Sequence, residues 1–179
     1  MNRLLAAQLA DRFEGMGLET DMIDLAEFPM AIYHGDDEAV DGAPTAAVEL
    51  HDRLALADGL VVVTPEYNGG PPAILKNSLD WVTRVDRAVF KRLLVGVACT
   101  SPGPRGGQAV LAAMHAMFTH MRLEIHEPAL SVPSYREAFD DADTRRLVRP
   151  DAVESTDAFV GSYTAALASW VDSGRGALV

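Results

Sequence analysis

The chain has 179 residues and is 49% hydrophobic, which suits one well-filled core, so we expect a single domain over residues 1–179. Its formal net charge of −11 and its pI near 4.7 repel phosphate backbones and anionic lipid. Nucleic acid and membrane surfaces are therefore not expected as partners. The sequence contains no long apolar run and no signal-peptide pattern at its start. Cys99 is the single cysteine, which excludes an internal disulfide and suits a cytoplasmic protein.

The first part of the chain predicts a helix, a strand and a loop. Apolar residues fall on one helical face over residues 3–16. Residues 18–25 alternate between apolar and acidic positions, which predicts a strand with one wetter face. Prolines, glycines and aspartates interrupt residues 26–45, so we expect a surface loop there. A second helix, striped by Leu50 and Leu54, then leads into a buried apolar strand at 59–63.

A glycine-rich turn follows that strand and precedes a helix, in the segment TPEYNGGPPAILKNSLDW at 64–81. Its residues Asn68, Gly69 and Gly70 tolerate positive φ angles, as a tight turn requires. We expect Pro71 and Pro72 in the first helical turn, where a missing N–H leaves nothing unsatisfied. Open α/β sheets bind ligands where a strand delivers its carboxyl end into such a turn.

The second half repeats this arrangement. Residues 93–99 are predicted to form a strand buried on both faces, followed by a second glycine-rich turn at 100–107 and a methionine-striped core helix. A short edge strand is expected at 123–126, and a last helix is indicated by Phe159, Tyr163 and Trp170. Alternating strands and helices predict the fold class: α/β, with a doubly wound parallel sheet in a three-layer α/β/α arrangement.

No metal site is predicted. The five histidines have no ligand-like spacing with a carboxylate or with the cysteine. Asp140, Asp141 and Asp143 resemble the start of a calcium loop, but Arg145 stands where that loop needs glycine, so we expect an acidic turn at the start of a helix.

The motif at 65–81 is similar to that of the NADPH-dependent FMN reductase family, which includes chromate and quinone reductases. The resemblance rests on PEYN, a following proline, LKN and DW, and it extends from Asn2 to about Leu167. It differs at Gly70, where the family usually has serine. The resemblance implies a flavodoxin-like order of strands, FMN as cofactor and NADPH or NADH as hydride donor.

The resemblance also implies which residues bind the cofactor. The turn at 65–69 would place backbone N–H groups and the Tyr67 ring against the flavin, while the turn at 101–107 would approach the edge of the ring. The cofactor-binding residues implied are Pro65, Glu66, Tyr67, Asn68, Gly69, Ser101, Gly103, Gly106 and Asn2. The alternative for the first turn is an ordinary turn with a half-buried tyrosine, and the second turn needs no ligand as a bare pattern.

Other polar residues near these turns have competing interpretations. We expect Lys76, Asn77 and Asp80 to cap, pair or support a dimer contact rather than touch flavin. Arg105 would attract the phosphates of a dinucleotide donor, or it is a solvated loop cation. No side chain is assigned a catalytic role, because flavin chemistry is carried by the cofactor.

The start of the sequence departs from the family. Family members begin with an apolar strand, which lies between the second and third strands of the sheet, and a phosphate-binding loop, whose last position matches Asn2. Three explanations are open: a start assigned too late, a shortened chain, or a fold that pairs its flanking strands or borrows one from a partner. We therefore expect the chain as written to bind FMN weakly or not at all.

The resemblance implies an NAD(P)H-dependent FMN-containing oxidoreductase that passes hydride to a small-molecule electron acceptor. Quinones, free flavin, azo compounds and chromate are all compatible with the sequence. A homodimer or homotetramer is also implied, with the flavin near the subunit boundary and Trp81 either at that boundary or in the core. The alternatives are a non-catalytic flavodoxin-like binding or oligomerisation module that has lost FMN phosphate binding, and an unstable fragment.

Overall fold

A computed structural model of the chain describes residues 1–140 and 146–174. The helices are α1 (Asn2–Gly15), α2 (Gly35–Asp41), α3 (Thr45–Ala55), α4 (Ala73–Asp86), α5 (Gln108–Met121), α6 (Tyr135–Ala138) and α7 (Pro150–Asp172), with 3-10 turns at Leu25–Glu27 and Arg87–Arg92. The strands are β1 (Gly59–Val63), β2 (Leu94–Thr100), β3 (Glu124–Ile125) and β4 (Leu130–Val132). The acidic turn expected at Asp141 and Asp143 lies outside the described residues.

The strands form a parallel sheet centred on β2. On one side β1 runs beside β2, with Gly59 opposite Leu94 and Val63 opposite Ala98. On the other side β3 pairs with the start of β2 and β4 pairs with its end. All seven residues of β2 are buried, as expected for a strand with neighbours on both sides and helices on both faces. The predicted α/β class, the burial of β2 and the short edge strand are confirmed. The expectation that the strand at 59–63 is buried is wrong except at Val62, because β1 has a neighbouring strand on one side only among the described residues.

Two hydrophobic clusters cover the faces of the sheet. Alternate residues of β2 point to opposite faces, because side chains alternate along a strand. Val95, Val97 and Cys99 belong to the cluster built with α3, α4 and α5. Leu94 and Ala98 belong to the cluster built with α1 and α7. This is the three-layer α/β/α arrangement predicted from the sequence.

One edge of the sheet is open along β1. The backbone N–H of Leu94 donates to the Asp58 carbonyl oxygen at 3.2 Å, and that of Thr64 donates to the Ala98 carbonyl oxygen at 3.0 Å. The backbone N–H and C=O groups of Leu60 and Val62 therefore point towards β2, and those of Gly59, Val61 and Val63 point away from it. Within residues 1–140 and 146–174, no strand pairs with β1 on that side.

The strand predicted at 18–25 does not form. The segment has no regular secondary structure until the 3-10 turn, although Ile23 and Leu25 pack against the core. An alternating pattern makes a strand only when a neighbouring strand accepts its backbone hydrogen bonds. No strand among the described residues lies beside this segment, so its apolar side chains are partly buried without a ladder.

The loop predicted at 26–45 is wrong over α2. That helix begins after His34, whose Nδ1 accepts a hydrogen bond from the Asp36 N–H at 3.3 Å. Asp36, Asp37 and Glu38 occupy its first turn, where negative charge favours a helix start. Gly35 and Gly42, at the two ends of this seven-residue helix, hid the helical pattern in the sequence.

No helix in the described residues is long and apolar enough to cross a membrane.

Candidate functional site

The two glycine-rich turns lie at the same edge of the sheet, because β1 and β2 are parallel neighbours and each turn follows the carboxyl end of its strand. The segment after β4 reaches this edge as well. There the Ser134 N–H donates to the Gly103 carbonyl oxygen at 3.1 Å, and the Tyr135 N–H donates to the Ser101 carbonyl oxygen at 3.0 Å. The candidate site is this edge.

The first turn is a tight reversal with a defined geometry. The Tyr67 N–H donates to the Gly70 carbonyl oxygen at 2.9 Å, and the Gly70 N–H donates back to the Tyr67 carbonyl oxygen at 3.0 Å. Between them Asn68 and Gly69 have φ angles of 53° and 81°, as a type I′ turn requires. The turn presents the Tyr67 side chain to solvent, 62% exposed. Helix α4 begins only at Ala73, so the expectation that the two prolines occupy its first turn is wrong.

The second turn is packed against β4 and β2. Gly106 and Gly107 have φ angles of 58° and 80°, and both are buried. A Cβ atom on Gly106 would collide with Ser131, and one on Gly107 would collide with the sulfur of Cys99. These two glycines are therefore required by packing within the chain, whereas Gly103 has open space around it.

The first turn contacts the helix that follows the second turn. The Glu66 carboxylate accepts a hydrogen bond from the Val110 backbone N–H, in the first turn of α5, at 3.3 Å. A Cβ atom built on Gly69 would lie 4.0 Å from the Ala109 Cβ. The turn after β1 is thus in contact with the start of α5, and the sheet edge presents both turns as one surface.

Cys99 lies beneath both turns. Burial raises the pKa of its thiol to about 11, and the negative charge of Glu66 acts in the same direction. The backbone N–H of Glu66 faces the sulfur and partly offsets the rise. The thiol is fully buried, as expected for the last residue of a strand predicted to be buried on both faces. Its place below Gly107 is a feature that the sequence pattern did not reveal.

Asn2 reaches the site edge from the start of α1. Its side-chain amide donates to the Thr100 carbonyl oxygen at 3.0 Å and accepts from the Thr100 N–H at 2.9 Å. Both polar groups of this side chain are therefore engaged with the last residue of β2.

The polar residues of α4 are engaged within the chain. Lys76 pairs with Asp80 at 2.6 Å along the helix. Asn77 holds the segment before α2, accepting from the Tyr33 N–H at 2.8 Å and donating to the Ala31 carbonyl oxygen at 2.9 Å. Trp81 donates to the same Ala31 oxygen at 2.8 Å and is 3% exposed, so it is a core residue of this subunit.

Two further observations bear on the choice of ligand. Arg105 is exposed in the second turn, so a cation stands on the rim of the candidate site in an otherwise acidic chain. Among the described residues no group of three histidine, cysteine or acidic side chains is placed to hold a metal ion.

Comparison with known proteins identifies the family. Residues 1–137 match the family described as NADPH-dependent FMN reductase, which is well over half of the chain. The chain belongs to this family. Members are oxidoreductases named for their use of FMN and NADPH, and both glycine-rich turns lie inside the matched region.

Two relatives illustrate the range of the family. The chain is 30% identical over 112 residues to the NADH:(hydroxy)cinnamate reductase subunit of Vibrio ruber, covering 62% of this chain and 53% of that protein. It is 33% identical over 114 residues to an NADPH azoreductase of Bacillus sp. strain OY1-2, covering 64% of this chain and 58% of that protein. The chain thus spans little more than half the length of these relatives.

A solved structure supports the fold. The flavoenzyme NAD(P)H:(acceptor) oxidoreductase FerB of Paracoccus denitrificans superimposes with a TM-score of 0.77 at 24% identity. The superposition covers 97% of this chain and 90% of that one. The fold is flavodoxin-like, as predicted.

Proposed function

We propose that this chain is one domain of an NAD(P)H-dependent FMN oxidoreductase that passes hydride from nicotinamide to a small electron acceptor. The observation that carries the proposal is the contact of the first turn with α5, which places the Tyr67 turn beside the start of that helix at the carboxyl edge of the sheet. The family match supports it, as do the relatives named as a subunit of an NADH:(hydroxy)cinnamate reductase and as an NADPH azoreductase.

The residues present fit the ring of a flavin. The Tyr67 turn offers a largely exposed aromatic side chain, and aromatic rings favour offset stacking on planar systems. We propose that Pro65, Asn68 and Gly69 shape the approach to one part of the ring. Ser101 and Gly103 then face its edge from the second turn, where Gly103 leaves open space.

The fit to the phosphate of FMN is poorer. Asn2 matches the last position of the family's phosphate-binding loop, yet its side chain is engaged with Thr100. The N–H groups of Leu4 and Leu5 both bond to the Met1 carbonyl oxygen at the start of α1. These donors at the start of α1 are engaged within the chain, so we propose that the chain holds the ring of the flavin more firmly than the phosphate.

FMN, when bound, supplies the hydride chemistry between NADPH or NADH and the acceptor. The protein's part is to orient the ring between the two turns and to leave one side open to small molecules. Arg105, exposed on the rim, is proposed to attract the phosphates of the dinucleotide donor. An open rim of this kind does not select one acceptor, so quinones, free flavin, azo compounds and chromate remain proposed acceptors.

The test uses the visible spectrum of the protein after incubation with FMN and removal of unbound flavin. Tyr67→Ala is expected to weaken flavin binding about fivefold because the aromatic contact is lost, whereas Tyr67→Phe keeps the ring and the affinity. Anaerobic NADPH should bleach the flavin bands, and a quinone or azo dye should restore them. Equal flavin affinity in Tyr67→Ala and wild type would contradict the proposed site.

The assembly and the location of the protein are a further part of the proposal. We propose a cytoplasmic homodimer or homotetramer with the flavin near the subunit boundary. Sedimentation equilibrium at several protein concentrations tests the assembly, and a monomer at all concentrations would contradict it.

A second candidate function is favoured by the open edge of β1. Unpaired N–H and C=O groups at Gly59, Val61 and Val63 can accept an added strand, which suits a binding or oligomerisation module without catalysis. A protein that melts cooperatively but never retains flavin would favour this candidate over the oxidoreductase.

A further inference from the structure

Helix α5 begins without a side-chain cap of its own. Its N-cap residue is Gly107, in the left-handed conformation, and its first turn contains no acidic residue. The first N–H groups of a helix have no intrahelical partner and carry the positive end of the helix dipole. The start of α5 therefore needs an acceptor from elsewhere.

Glu66 supplies that acceptor from another part of the chain. It lies in the turn after β1, and its carboxylate accepts the Val110 N–H, from the third residue of α5, at 3.3 Å. A carboxylate at this position satisfies one orphan donor and favours the helix dipole. The same residue presents its backbone N–H to the Cys99 sulfur below.

These contacts connect Glu66 to the geometry of the site. Its neighbour Tyr67 is exposed and begins the tight turn, while Glu66 is partly buried and its carboxylate bonds to α5. Moving Glu66 would move the Tyr67 turn relative to the second turn, because Glu66 bonds to the helix that the second turn begins.

We propose that Glu66 is a positioning residue, whose carboxylate caps α5 and thereby fixes the distance between the two turns that hold the flavin ring. This role rests on the proposed function as far as flavin is concerned. It assigns Glu66 to the support of the Tyr67 turn rather than to contact with the cofactor.

The first test needs no cofactor. Cys99 is the single cysteine and lies beneath the Glu66 turn, so its rate of alkylation by N-ethylmaleimide reports opening of that turn. The side chains of Glu66→Ala and Glu66→Asp are too short to accept the Val110 N–H. We therefore expect alkylation about fivefold faster in each, which corresponds to the loss of one helix cap. Glu66→Gln keeps an oxygen at the same reach and should stay within about twofold of wild type.

The two conservative variants separate reach from charge. Glu66→Asp keeps the charge and shortens the side chain, while Glu66→Gln keeps the length and removes the charge. Fast alkylation in Glu66→Gln with a wild-type rate in Glu66→Asp would overturn the proposal. The alkylation rate would then depend on the negative charge of Glu66 near Cys99 rather than on the cap of α5. Glu49→Ala, at an exposed position on α3, is the matched control and should alkylate as wild type does.

The second test measures riboflavin and FMN affinity in the same variants. Glu66→Ala and Glu66→Asp should weaken both flavins about fivefold, and Glu66→Gln should restore the affinity. Fast alkylation together with unchanged flavin affinity would overturn the positioning role, and unchanged alkylation would overturn the cap itself. If wild type bound neither flavin, the proposed function would fail while the alkylation rates would still decide whether Glu66 caps α5.

Discussion

Asn2 forms with Thr100 the pair of hydrogen bonds that a residue of a neighbouring strand would otherwise provide. The amide of Asn2 donates to the Thr100 carbonyl oxygen at 3.0 Å and accepts its N–H at 2.9 Å, across 98 positions of sequence. The end of β2 is thereby satisfied by a side chain from the start of α1. This contact anchors α1 to the edge of the sheet where the candidate site lies.

Replacing Asn2 by Ala should lower the free energy of unfolding by about 2 kcal/mol, because each of the two hydrogen bonds contributes about 1 kcal/mol and Thr100 would lose both partners. Urea denaturation followed by circular dichroism measures the change. Gln108→Ala, at an exposed position in the first turn of α5, is the control and should stay within about 0.5 kcal/mol of wild type. An equal effect in both variants would show that the Asn2 contact is not made in solution.

The two glycine turns should respond differently to serine. Gly70→Ser introduces the residue usual in the family, and its Cβ meets only the Tyr67 carbonyl oxygen at 3.9 Å, so stability should stay within about 0.5 kcal/mol. Gly107→Ser forces a side chain into a left-handed conformation against the Cys99 sulfur and should cost about 2–4 kcal/mol. Thermal and urea unfolding of the two variants provide the comparison. Similar losses in both would contradict the packing described for the second turn.

Ionisation of the Cys99 thiol makes the free energy of unfolding depend on pH in the alkaline range. Burial raises the pKa of its thiol from 9.0 to about 11, so the folded state holds the proton more tightly than the unfolded state does. This contribution is fully present below pH 9 and is lost as the pH rises through 11. The loss should reach about 2 kcal/mol by about pH 10.5 relative to neutral pH.

The Cys99→Ala variant removes this group and keeps the other titrating residues. Urea denaturation of both proteins across the alkaline range should therefore give a steeper loss of stability for wild type than for the variant. Parallel curves would mean that the thiol is not buried beneath the turns.

The sequence was sufficient for strands marked by a run of apolar residues and for turns whose geometry depends on their own residues. The apolar runs of β1 and β2 and the turn at Asn68–Gly69 were predicted from residue type, and the structure places them as expected. Positive φ angles at Asn68 and Gly69 follow from their tolerance of that conformation.

Features that depend on distant parts of the chain were not predictable. The strand expected at 18–25 fails because a strand needs a neighbour, which residue alternation does not supply. The contact of Glu66 with Val110 joins residues 44 positions apart, and no local pattern indicates it. The need for Gly107 likewise arises from Cys99 on the strand below, which becomes visible only when both are placed in the fold.

The most direct test of the account is a parallel titration of the 179-residue chain with FMN and riboflavin, followed by visible absorption after removal of unbound flavin. If the two turns hold the ring more firmly than the start of α1 holds the phosphate, both flavins should give shifted bands at about 375 and 450 nm, with affinities within about tenfold of each other. Nanomolar binding of FMN alone would show that the phosphate is well held. The contradicting result is a protein that still unfolds cooperatively but shows no flavin bands after incubation with either flavin. That result would rule out the central claim that these turns form a flavin site.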